Sequence, residues 1–154
     1  MNKKISFQYI AGFIDGEGHI SIVRRIKKGR NQIDYQPCVM VCNTDKNVLQ
    51  LIKERIGGRW VECINISQYS GRPTLYRIII NKAEALNEVL PKIIPHLIIK
   101  KDNAKLVLGF IRSRLKARKS WRKTNNGVGS SPPYSKKENN IYSQIEKNMP
   151  LNLK

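Results

Sequence analysis

Ile10-Ala11-Gly12-Phe13-Ile14-Asp15-Gly16-Glu17-Gly18 is the stretch on which the reading of this chain turns. Just upstream, Ser6 is a suitable helix N-cap, and Ile5 and Ile10 have the spacing of a hydrophobic staple. A helix is therefore predicted from about Phe7 to Asp15, with Gly16 and Gly18 as its stop signals. Gly12 and Gly16 are spaced to share one helical face among bulky apolar residues. A glycine inside a helix costs about 1 kcal/mol relative to alanine, and a stripe of small residues makes sense where another backbone approaches closely. The segment closes on two carboxylates, Asp15 and Glu17, with a glycine on either side of Glu17. Carboxylates are unfavourable at the negative end of a helix dipole, so a compensating positive charge is expected.

Working outward, the period changes. In His19 to Lys28, Ile20, Ile22 and Ile26 alternate with Ser21, Val23, Arg25 and Lys27, the pattern of a strand with one basic face. Lys28-Gly29-Arg30-Asn31 is the turn, and Ile33 to Asn43 returns as a second strand in which Pro37 suggests an edge or a bulge. Thr44 and Asp45 open a second helix, striped by Val48, Leu49, Leu51, Ile52 and Ile56 and ended by Gly57-Gly58. A second hairpin is predicted over 59–69 and 74–81, then a helix from Lys82 to Leu90 that Pro91 and Pro95 disrupt. Asp102 to Lys116 reads as a further helix with Ala104, Val107, Phe110 and Ile111 inward and Lys105, Arg112, Arg114 and Lys116 outward. Thr124 to Pro133 reads as a linker to a weak helix over 135–147. Two successive strand pairs, each followed by a helix, give an α+β fold: an antiparallel four-stranded sheet with helices on one face and the other face open. Arg25, Lys27, Gln36 and Arg77 are expected on that open face.

Composition bounds the partners. The 154 residues carry 29 Lys plus Arg against 11 Asp plus Glu, a net charge of +18. Residues 1–118 hold 22 of the basic groups and 9 of the acidic ones, so the basic excess is built into the core and not confined to the tail. Such a chain is expected to bind a polyanion, with a basic concave sheet as the cradle for duplex DNA. No apolar run reaches the roughly 18 residues of a membrane helix, so no membrane partner is expected. Cys38, Cys42 and Cys63 are an odd number without C-x-x-C spacing, which points to a reducing, intracellular compartment. Only His19 and His96 are present and no acid is followed two places later by lysine, so histidine-based and D…(D/E)-x-K nuclease sites lack their residues.

The run Y-I-A-G-F-I-D-G-E-G, followed by strand pair, helix and strand pair, resembles the LAGLIDADG motif of intron- and intein-encoded homing endonucleases in their α-β-β-α-β-β-α order. The resemblance covers about residues 5–118 as the endonuclease core, leaving 119–154 as a basic C-terminal extension. It implies a saddle-shaped sheet on DNA and, with one motif copy, a homodimer joined through the motif helices at Ala11, Gly12, Asp15 and Gly16. It further implies metal-dependent cleavage of both DNA strands to leave 3′ overhangs. Glu17 would ligate Mg²⁺ or Mn²⁺ with the Gly16 carbonyl, and Asp15 would support the helix end. Pro95-His96-Leu97-Ile98-Ile99-Lys100-Lys101 is similar to the family segment that carries a lysine near the scissile phosphate, which matches Lys100, with Lys101 as the competitor. Asp45 matches a polar position that places water, although an acid in the first turn of a helix needs no such role. Ser21, Val23, Arg25, Lys27, Arg30, Gln36, Arg77 and Lys101 form the implied DNA contacts. Tyr134-Ser135-Lys136-Lys137-Glu138 resembles tails of related members that wrap DNA flanks. The competing readings are a non-cleaving intron RNA maturase or DNA-binding protein on the same scaffold, and a small basic RNA-binding protein.

Overall fold

The computed structural model describes residues 5–27, 32–61, 74–124 and 131–148. Helix α1 spans Phe7–Glu17, and the Tyr9 amide donates to Ser6 Oγ at 3.2 Å, closing its first turn as the cap residue predicts. It runs two residues past the predicted end, because the chain can leave the helix only at Gly18. A Cβ there would stand 2.8 Å from the Ile14 backbone, so strand β1 (Gly18–Lys27) can start directly at the helix end only with glycine at the junction. Strand β2 (Gln32–Asn43) pairs antiparallel with β1 from Gly18↔Val41 to Lys27↔Gln32 without a bulge. Arg30 and the rest of the connecting turn lie outside the described residues.

Helix α2 (Lys46–Ile56), strand β3 (Arg59–Val61) and strand β4 (Tyr76–Ile80) follow, and residues 62–73 of the predicted second hairpin lie outside the described residues. The four-stranded antiparallel sheet has the order β1-β2-β4-β3. Beyond the pair Val39↔Ile80, β2 has no strand on its second side among the described residues. Pro37 sits in that half. The Tyr35 amide points away from β1 to reach Tyr134 Oη, and Pro37, two residues on, lacks its N–H in the same direction. The proline thus falls where no ladder bond is lost, at a locally free edge in a continuous register.

Helix α3 (Ala83–Ile93) continues through Pro91, contrary to the predicted stop. The ring sits in the last turn, where one lost intrahelical bond ends nothing, and the chain passes into a 3-10 turn at Ile94–His96. Helix α4 (Lys101–Thr124) exceeds its predicted end at Lys116, and helix α5 (Lys136–Lys147) closes the order. Ile20, Ile22, Val39, Val41, Ile78 and Ile80 share one sheet face and pack in a single core with α1 to α4. Ile141 and Ile145 of α5 belong to the same core, so the extension after residue 119 is docked onto it.

A clamp missed by the sequence pattern holds that extension. The pattern puts Arg114 on the outer face of its helix, but the residue is 3% exposed. Its guanidinium donates to the carbonyls of Pro132 at 3.0 Å and Pro133 at 3.2 Å, lies 3.6 Å from Glu138 Oε2 and stacks 4.2 Å above the Tyr134 ring. Glu138 caps Ser135 in return, with the Ser135 amide donating at 2.8 Å to form a capping box. Tyr134 Oη accepts from the Tyr35 amide at 2.9 Å and donates to Asp34 Oδ1 at 2.8 Å, covering the free edge of β2. Burial keeps the Tyr134 hydroxyl protonated well above the usual tyrosine range, with the Asp34 carboxylate adding to that shift.

Candidate active site

The two carboxylates at the end of α1 meet different surroundings. Asp15 is 9% exposed and its side chain turns inward. Its Oδ2 accepts from the amides of Ile98 (2.6 Å) and Ile99 (3.2 Å), and its Oδ1 from the amide of Lys100 (2.9 Å). Burial alone pushes its pKa up, but these three amides and the Lys100 charge together hold it below the ordinary carboxylate value. Asp15 thereby fixes the strap that leads into α4. Lys100 returns the contact: its Nζ donates to the carbonyl of Ile14 at 2.9 Å and to that of Asp15. This is the positive charge that the helix dipole demanded. An ammonium has three donors, so two carbonyl bonds leave one N–H of Lys100 for a further acceptor.

Glu17 is exposed at the junction of α1 and β1, and makes no hydrogen bond or ion pair among the described residues. The Gly16 carbonyl beside it is one of the last four of the helix, which have no intrahelical partner. Next along β1, His19 is held neutral to lower pH than usual, by burial first and by the Lys100 charge second. Asp45 lies at the same end of the sheet, two residues past Asn43, while Gly18 pairs with Val41. Its carboxylate is engaged as the N-cap of α2, accepting from the amides of Asn47 at 2.8 Å and Val48 at 3.4 Å. Among the described residues no three His, Cys, Asp or Glu side chains converge as a metal cluster. One chain thus offers the carboxylate of Glu17 and the carbonyl of Gly16, hard oxygen donors that fit Mg²⁺, and the remaining ligands have to come from outside it.

On α1, Gly12 and Gly16 are exposed, and a Cβ at either would meet nothing within 4 Å. Their face, flanked by Tyr9 at 49% exposure, is therefore open. Ala11 is not on it. The side chain is 0% exposed in the core of its own chain, a correction to its expected place at an interface with a second copy. Asp15 is corrected in the same way: its carboxylate belongs to the strap at Ile98 to Lys100.

The register brings His19, Ser21, Val23, Arg25 and Lys27 of β1 onto the face opposite the core, with Gln36 of β2 and Arg77 of β4 on the same side. Val23 and Arg25 are exposed there, and Gln36, across from Val23, is half-buried. Arg77 is half-buried with its Nε donating to Cys42 Sγ at 3.4 Å, and Lys101 is half-buried as the first residue of α4. Ser21 is a second correction. It is 0% exposed, and its Oγ lies 3.6 Å from Cys38 Sγ across the strand pair, so it cannot reach an outside ligand. Burial keeps the Cys38 thiol protonated above its ordinary range.

Residues 10–104 match the family model described as LAGLIDADG endonuclease. Among curated proteins no match is found. Among solved structures the chain is similar to the homing endonuclease I-CvuI in complex with a DNA target in the presence of Mg, with 19% identity over 92% of each chain and a TM-score of 0.61. It is also similar to the archaeal intron-encoded homing endonuclease I-Vdi141I complexed with DNA, at 21% identity over 92% of this chain and 94% of that one, TM-score 0.58. A third is the group I intron-encoded I-CeuI complexed with DNA, at 17% identity over 92% of this chain and 66% of that one, TM-score 0.66. At these identities the likeness is one of fold, and it agrees with the helix, strand-pair order and the open basic sheet face built above. With the family model spanning most of the chain, this protein belongs to the LAGLIDADG endonuclease family.

Proposed function

We propose that the chain acts as a homodimeric, site-specific double-strand DNA endonuclease that cleaves by metal-dependent phosphodiester hydrolysis, leaves 3′ overhangs and serves the homing of its own intron. The observation that carries this reading is Glu17: an exposed carboxylate without a partner among the described residues, on a helix end whose neighbouring acid and lysine are fully engaged. A free acid at that end repels the helix dipole, so its retention is a functional cost offset only by a ligand. The open face of Gly12 and Gly16 suits a second copy, which would bring two Glu17 carboxylates together across a twofold axis.

Glu17 and the Gly16 carbonyl of each copy would hold Mg²⁺ or Mn²⁺ against DNA phosphates. When bound, such a cation lowers the pKa of water and stabilises charge on the attacking and leaving oxygens. Lys100, fixed by two backbone carbonyls, keeps its remaining N–H for a phosphate oxygen at the same helix end. Asp15 positions Lys100 and does not meet the substrate itself. Asp45 spans both roles, since its carboxylate caps α2 at the sheet end that carries Glu17. Val23, Arg25, Lys27, Arg30, Gln36, Arg77 and Lys101 would contact the duplex along the basic sheet face. A compartment that is reducing and contains DNA suits the thiols of Cys38 and Cys42, which are free.

The test is cleavage of a plasmid carrying the uninterrupted insertion site, with Mg²⁺ and with EDTA. Glu17→Gln is expected to reduce cleavage on the order of 10³-fold while leaving duplex binding intact. Undiminished cleavage by that variant overturns the reading.

A further inference from the structure

The end of the sheet away from Glu17 carries an open cavity of about 800 Å³. Arg25, Lys53, Arg59 and Lys82 line it together with Gln36 and Asn81, and among the described residues no acid lines it. Four different elements deliver those cations. Arg25 comes from the outer face of β1, and its cross-strand neighbour Asp34 is engaged by Tyr134 Oη. Lys53 comes from the last turn of α2. Arg59 opens β3, and its position is fixed by Gly57 and Gly58, whose φ values of 75° and 120° favour glycine. A Cβ on Gly58 would also stand 2.7 Å from Ile78 Cγ2, so the chain passes this close to β4 only as glycine. Lys82 is the N-cap of α3, where a residue without a side-chain acceptor leaves the first amides of the helix uncapped.

Gathering four cations around one cavity raises a repulsion that an anion relieves. Exposed Glu84 in the first turn of α3 answers the helix dipole but does not line the cavity. The opening lies beside the outer sheet face, since Arg25, Gln36, Arg59 and Ile79 all belong to that face by register. Along β2, the step from Val41, opposite Gly18, to Gln36 is about 17 Å at roughly 3.3 Å per residue. That is about five base-pair steps of duplex at roughly 3.4 Å each. We propose that this cavity binds a backbone phosphate of duplex DNA on the flank, about five base pairs outward from the phosphate served by Glu17. The inference rests on the endonuclease reading for the choice of duplex DNA. A phosphate contact of this kind adds affinity and register without reading sequence.

The probe is a 40-base-pair duplex of mixed sequence, with binding followed against salt concentration. Arg59→Ala/Lys82→Ala is expected to lower the slope of log K against log salt by about 0.9 for each phosphate that the variant no longer neutralises. Lys116→Ala/Lys119→Ala removes the same charge from α4 and is expected to leave the slope unchanged. An unchanged slope in the first pair, or an equal reduction in both, overturns the proposal. So does an effect confined to a structured RNA hairpin. In the unaltered protein, Lys82 is expected to be protected from acetylation by bound duplex while Lys116 stays reactive; equal reactivity overturns the proposal without any variant. Failure of the intact protein to cleave DNA, with the slope change and the protection present, would sink the endonuclease reading and leave the phosphate site standing.

Discussion

Two regions of the molecule bury an acid against a cation, and they differ in what they leave over. At the start of α5, Glu138 is 1% exposed, capped by Ser135 and paired with Arg114, which in turn holds Pro132, Pro133 and Tyr134. At the end of α1, Asp15 is held by three amides and Lys100 by two carbonyls, yet the next acid along, Glu17, stays outside the network. The first region spends its charges on attaching a segment to the core. In the second, the same kind of contact serves as a mount for a carboxylate that the fold does not use.

That contrast can be broken most severely at the clamp. Arg114→Met is expected to destabilise the protein by about 3–5 kcal/mol, because it strands a buried carboxylate, and urea denaturation reads the loss. Pairing it with Glu138→Leu is expected to restore much of the stability, since an apolar pair of similar volume replaces buried charge. Asp15→Asn is expected to cost about 2–3 kcal/mol through weakened charge-assisted bonds to Ile98, Ile99 and Lys100. Its pKa is lowered by folding, so the stability it supplies is complete above its unfolded value near 4 and is lost as the pH falls through the lower folded value. Acid unfolding followed by circular dichroism is therefore expected to lose this component below about pH 4 in the parent and to lack it in Asp15→Asn. The smallest effect has the opposite sign. Glu17→Gln is expected to stabilise the fold by about 0.3–1 kcal/mol by removing a negative charge from a helix C-terminus, read as a raised urea midpoint. A loss of stability there would show that Glu17 is a structural partner after all, and the distinction between the two regions would fall.

Much of this was legible in residue order. Ser6, the glycines at 12, 16 and 18, and the alternation after His19 announced α1, its open face and the basic side of the sheet, because caps, small-residue stripes and period-two patterns are local signals. Sequence also called for a cation at the acidic helix end, and Lys100 meets that need from far along the chain. What pattern reading could not supply was depth. Ser21 alternates with the core isoleucines as a DNA-facing residue should, yet it is flanked on its own face by His19 and Val23 and spends its hydroxyl on Cys38. Ala11 adjoins the open glycine face, but at 3.6 residues per turn it points into the core. Arg114 reads as one more outward cation because the partners that bury it lie 18 or more residues later in the chain. A signal for that clamp was present in Ser135-x-x-Glu138, a capping-box spacing that marks an ordered helix start and not a loose tail.

The bond between Tyr35 and Tyr134 joins residues 99 positions apart. While the chain is being made, the free side of β2 therefore waits for almost the whole polypeptide before it is covered, and an uncovered strand edge is a template for unwanted pairing. The order of synthesis thus makes the late-arriving tyrosine a guard against aggregation of the nascent sheet, and a polypeptide cut short before it would expose that edge for good.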